Sequence, residues 1–203
     1  MIRAPSIKIR MKTALKIFLL GFFLAPIGDM MHVATGTTSY PTTYAWYLLG
    51  IPWWVFPFFG FAGVSLAFSN DFTETRFFKR KEKLGETSAT YAYFGVTLFL
   101  LSYILSGILK ENPLLTHLVL GSLGIIFWYS LDRTFSGFLI GVCTALIGTS
   151  VEIFLVHNRV FSYLPPNTSL FGVASWLPWL YFTLAIGLGN FLRYQERAKS
   201  SEN

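Results

Sequence analysis

Residues 136–157 read SGFLIGVCTALIGTSVEIFLVH, an apolar run with one carboxylate, Glu152. Wound as a helix at about 1.5 Å per residue, it spans the hydrocarbon core of a bilayer, about 30 Å. Working outward, comparable apolar stretches occupy residues 14–33, 44–68, 89–109, 113–131 and 172–193. The expected fold is therefore all-α: a polytopic membrane protein, a six-transmembrane-helix bundle with short loops, forming one domain over residues 1–203. The run at 14–33 follows Arg3, Lys8, Arg10 and Lys12 as a signal peptide would. It continues into Gly28-Asp29-Met30-Met31-His32 without a small-x-small cleavage site, so it is read as a retained helix.

Composition agrees. Mean hydropathy is +0.53, and 13% of the 203 residues are charged, where a soluble domain carries about 25%. These values exclude a soluble enzyme, a disordered regulator and a disulfide-stapled module. The lone Cys143 builds neither a disulfide framework nor a multi-cysteine zinc site, and no cofactor motif occurs. Net charge is +6, but no soluble basic face exists to carry a nucleic acid. Its distribution speaks of topology instead. Of the 16 Lys and Arg residues, only Lys110 and Arg159 fall on one side of the six-span arrangement, and fourteen fall on the other. The positive-inside rule places that basic side, and with it both termini, in the cytoplasm. The expected location is an integral, multi-pass site in the bacterial inner membrane or the endoplasmic reticulum membrane.

Helices in lipid associate through small residues. Gly137 and Gly141, continued by Ala145, form such a face on the fifth span. Close packing is its plain reading, and self-association into a homo-oligomer its sharper one. Many aromatics crowd span ends as interfacial anchors. Trp53 and Trp54 fall instead within the second span and are followed by Pro57, which is expected to bend the helix. That opens either a gap for a lipid or only a tolerated kink.

Ionisable groups inside a membrane mark candidate sites. Here they are Asp29, His32, His117, Glu152 and His157, all towards the non-cytoplasmic half. Asp29 and His32 lie three apart on one helix face. No His-Glu-x-x-His, nucleophile elbow or phosphate loop accompanies them, so no catalytic or metal residue is assigned. On the cytoplasmic side Asp132-Arg133-Thr134-Phe135-Ser136-Gly137 forms a tight helix–turn–helix. Asp132 either caps the following helix or, with Arg133, offers a charged pair to a partner. A sequon, Asn167-Thr168-Ser169, lies on the opposite side.

Several strings in order resemble the Insig (insulin-induced gene) family. They are Trp53-Trp54-Val55-x-Pro57 with Gly60, Phe78-Lys79-Arg80, Asp132-Arg133 with Ser136-Gly137, and Phe154-Leu155-Val156-x-Asn158. Ser175-Trp176-Leu177-Pro178 and Gly189-Asn190-x-x-Arg193 complete them. The resemblance runs from about Trp53 to Arg193. It implies a non-enzymatic membrane protein that binds a sterol or other lipid among its helices and retains or regulates another polytopic membrane protein. It also implies a partner-engaging role for Asp132 and a lipid-lining role for Trp128. Glu152 places an acid where the animal members are uncharged, and the bound lipid is expected to be a sterol, an isoprenoid or a diacyl lipid. The alternative is a small membrane enzyme or transporter acting through the Asp/Glu/His set.

Overall fold

A computed structural model describes residues 11–44, 46–76 and 88–200. Among the described residues six α-helices carry the fold: α1 Met11–Ala34, α2 Val55–Arg76, α3 Ala89–Ile108, α4 Pro113–Phe127, α5 Phe135–His157 and α6 Leu177–Ser200. Four short strands join them: β1 Thr38–Ser39, β2 Tyr47–Leu48, β3 Ile51–Pro52 and β4 Ser162–Tyr163. The first five helices are long and apolar enough to cross a membrane, counting the π-helical turn Trp128–Asp132 that prolongs α4. The basic string Phe78-Lys79-Arg80, with Lys81 and Lys83, lies outside the described residues, as do Arg3, Lys8 and Arg10.

Side-chain caps start three of the helices. Ser88 and Asn112 accept the backbone N–H groups of Tyr91 and Leu115, and Pro113 takes the first-turn position where its missing N–H costs nothing. Thr134 caps α5 by accepting the Gly137 N–H at 2.9 Å. Thr134→Ala is expected to lower stability by about 1 kcal/mol, read as a drop in the thermal midpoint of detergent-purified protein. An unchanged midpoint would mean that another group takes over the cap.

α6 is the central helix. From Leu177 to Gln195 most of its residues are buried, and it packs against α3, α4, α5 and, more lightly, α2. A helix surrounded by protein has no need of a fully lipophilic surface, which explains how it holds Thr183, Asn190, Arg193 and Gln195. Its backbone nearly touches that of α3 where Gly187 crosses Gly95. α1 runs closely along α2, whereas α2 and α5 meet only sparsely.

The second span differs from expectation. Residues 46–54 form a β-hairpin rather than helix, β2 pairing antiparallel with β3. Its two-residue turn, Leu49-Gly50, has positive φ at both positions, the geometry favoured in tight hairpins. Trp53 and Trp54 therefore precede α2, and Pro57 sits in its first turn. First-turn N–H groups have no helical partner to lose, so Pro57 does not bend the helix. The interior proline is Pro26 of α1. At the other side of the chain β1 pairs with β4, Thr38 opposite Tyr163, which ties the α1–α2 connection to the α5–α6 connection.

Candidate functional site

At the end of the bundle where α1 finishes and α2 begins, seven elements converge on one cavity. α1 supplies Asp29 and His32, and β1 with the residue following its connection supplies Thr38 and Tyr40. Trp54, Phe58 and Phe59 close one wall, while Tyr103 of α3, Glu152 of α5, Tyr163 of β4 and Tyr181 of α6 close the others. The remaining space is about 30 Å³, room for about one water-sized occupant.

Tyrosines hold both acids. Tyr40 donates its hydroxyl to Asp29 Oδ2 at 2.6 Å. Tyr163 and Tyr181 donate to the two oxygens of Glu152 at 2.6 and 2.5 Å. Bare glycine faces seat two of the rings: a side chain at Gly28 would collide with Tyr103, and one at Gly148 with Tyr181. Gly148 lies four residues before Glu152, on the same helix face. A tyrosine from α6 is thereby brought onto an acid of α5.

Three members of the Asp/Glu/His set meet here, and two do not. Asp29, His32 and Glu152 line the cavity, whereas His117 pairs with Ser175 at 3.0 Å and His157 is exposed at the end of α5. His32 Nε2 lies 2.9 Å from Ser106 Oγ, but this is no activated nucleophile. Ser106 gives its only proton to the Tyr103 carbonyl at 2.6 Å, so His32 must be the donor in their bond, the reverse of what a general base requires. The tyrosines Tyr40, Tyr103, Tyr163 and Tyr181 were not singled out from the sequence. Their only sequence signal is the glycine beside Asp29 and the glycine one turn before Glu152.

The aromatics expected to line a lipid site are divided. Trp54 is half-buried in the cavity wall and Trp53 is exposed. Trp128 stands at the opposite end of the bundle, its indole N–H donated to the Thr134 carbonyl at 2.9 Å. Gly137 and Gly141 face inward, where Gly137 lies under the Asp132 carboxylate and Gly141 under the Phe182 ring of α6. That face is filled within one chain and leaves nothing for a second copy to dock on. The sequon asparagine is likewise committed, since Asn167 is buried, accepts from Trp176 Nε1 and donates to the Lys110 carbonyl.

A second polar centre occupies the Trp128 end. Asp132 is not the cap of α5, a place taken by Thr134, and it is not displayed. Its side chain is 1% exposed, accepts the N–H and the hydroxyl of Thr134, and stands 2.7 Å from Arg193 of α6. Arg193 also reaches Glu74 of α2 at 3.4 Å. Arg133 alone is exposed, lying over the Tyr129 ring in a left-handed backbone conformation. From the sequence, the arginine that joins three elements is one of the cytoplasmic basic residues and the end of the Gly189-Asn190-x-x-Arg193 string, with no ion partner assigned.

No family model matches the chain. The INSIG protein homolog of Mycolicibacterium vanbaalenii is 35% identical over 181 residues, 88% of this chain and 84% of its own length. The chain belongs to the Insig family. Insulin-induced gene 2 protein of Gallus gallus is 29% identical over 182 residues, 87% of this chain and 77% of that protein. The crystal structure of the mycobacterial Insig homolog MvINS superposes with a TM-score of 0.81 at 31% identity, covering 93% of this chain and 97% of the other. A crystal structure of a cross-linked trimer of a variant of that homolog matches with the same values. Insig membership makes this a multi-pass protein of a membrane regulatory family.

Proposed function

We propose that the chain is a non-catalytic, lipid-binding membrane protein that retains or regulates another polytopic membrane protein. It forms one six-span domain with α6 as the sixth crossing. Both termini face the cytoplasm, as the fourteen-to-two division of Lys and Arg supports. The trimer known for the mycobacterial homolog supports a homo-oligomer of this chain. The ligand class is a sterol, an isoprenoid or a diacyl lipid.

The observation that carries this reading is the sparse seam between α2 and α5. Phe58 and Phe59 flank it on α2 and Leu155 on α5, and it leads inward to the polar cavity. Small parting of two loosely packed helices admits an apolar tail, while the cavity meets its polar end. Mass spectrometry of lipids co-purifying with the intact protein is the direct test. Leu155→Trp, which fills the seam, is expected to cut the lipid recovered per protein severalfold without changing the elution profile. Recovery of no lipid from the unmodified chain, with no thermal shift from sterols or diacyl lipids, would sink the reading.

The second reading, an enzyme or transporter, has the meeting of Asp29, His32 and Glu152 in its favour. The donor role of His32 towards Ser106 weighs against its catalytic form.

A further inference from the structure

In the cavity around Asp29 and Glu152 an ionised acid finds no cationic partner among the described residues. Among the described residues two carboxyl side chains line the cavity, and no Lys or Arg does. The three tyrosine hydroxyls are partial compensation only, because a hydrogen bond leaves the formal charge in place, and an unpaired buried charge is costly. Both oxygens of Glu152 accept a tyrosine proton, the pattern that suits the ionised carboxylate. A separate observation points to an occupant. The Thr38 hydroxyl, 3% exposed on the cavity wall, has no partner among the described residues.

We propose that this cage binds one small hard monovalent cation, sodium or potassium, between Asp29, Glu152 and the Thr38 hydroxyl. Carboxylate, hydroxyl and phenol oxygens are the donors such ions prefer. The lone pairs left on Tyr40, Tyr163 and Tyr181, after each has given its proton away, face a cation favourably. The volume of about 30 Å³ has room for one such ion. One monovalent ion balances one ionised acid, Glu152 with its two tyrosine donors, while Asp29 keeps its proton, and among the described residues no group of three or more His, Cys, Asp or Glu is placed to hold a metal. That favours a monovalent over a divalent or transition-metal ion. His32 has only its Nδ1 lone pair to offer, a nitrogen donor that hard monovalent ions do not prefer.

The ion occupies the same cavity that meets the polar end of a lipid in the proposed function, but its test uses no lipid ligand, so the two readings fail separately. Thermal unfolding of the purified protein in detergent is followed by tryptophan fluorescence. NaCl or KCl replaces N-methyl-D-glucamine chloride at constant ionic strength. The expected result is a saturable rise of about 3–6 °C in midpoint. Glu152→Gln is expected to abolish the rise. Thr38→Val is expected to raise the half-saturating concentration severalfold without lowering the midpoint in N-methyl-D-glucamine, since the hydroxyl it removes is buried without a partner, which guards against a Glu152→Gln protein that fails to fold. Equal midpoints in all three salts would overturn the proposal, as would an undiminished response in both variants. A shift produced by millimolar CaCl2 and not by NaCl or KCl would also overturn it, in favour of a divalent site.

Discussion

Arg193→Gln is expected to destabilise the bundle by about 3–5 kcal/mol, the largest effect of any single side-chain change considered. Arg193 is 4% exposed and stands between Asp132 at 2.7 Å and Glu74 at 3.4 Å. Removing the cation leaves two carboxylates out of water, one of them also pinned against Gly137. The loss is therefore dominated by the charges left behind rather than by the attraction removed. That distinction can be measured. Asp132→Asn introduced into the Arg193→Gln protein should recover part of the midpoint, because a neutral amide in place of the carboxylate removes one stranded charge. The readouts are the thermal midpoint in detergent and the monodisperse fraction on gel filtration. A single Arg193→Gln midpoint within a degree of the parent would refute the account.

Gly187→Val should come next. A Cβ built at Gly187 lies 2.8 Å from the Gly95 carbonyl oxygen and 3.1 Å from its carbon. Both are backbone atoms, which cannot rotate aside, so α6 must move away from α3. Overpacking of this kind costs about 1–3 kcal/mol, and at the central helix the displacement also loosens its contacts with α4 and α5. Gly63→Ala is the control. A Cβ there makes ordinary 3.4 Å contact with Ile17, and replacing a helical glycine by alanine gains helix propensity. The valine should lower the midpoint and the alanine leave it level or raise it. Equal midpoints for the two would show that the α3–α6 crossing tolerates separation.

Much of the scaffold was legible because hydropathy reports length directly. The runs at 89–109 and 136–157 match α3 and α5 to within a residue or so at each end. The run at 44–68 misled for a physical reason. Trp46, Leu48, Leu49 and Trp53 are apolar and exposed, so a hydropathy count cannot separate a greasy hairpin from the helix behind it. The turn residue Gly50 was the only local hint. α6 begins at Leu177 rather than 172, after Phe171 and Gly172 take positive φ and with Pro178 in its first turn.

The polar site was half legible. Asp29 and Glu152 stood out as acids in apolar runs, but their partners Tyr40, Tyr163 and Tyr181 lie 11 to 29 residues away in other elements. Tyrosine near a span end reads as an interfacial anchor, and only the β1–β4 pairing turns Tyr163 inward. Asp132 shows the converse. Its spacing to Gly137 was visible, but not that an arginine sixty-one residues later would bury it.

The pairing of Thr38–Ser39 with Ser162–Tyr163 also sets an order of assembly. Translation delivers α1, with Asp29, long before Glu152, Tyr163 and Tyr181 leave the ribosome. Until the final third of the chain has been threaded, Asp29 sits in a half-built wall. A chain that stops early therefore presents the bilayer with an acid whose cage is incomplete. Completion of the last helix, which brings Tyr181 onto Glu152, is what closes the wall around Asp29.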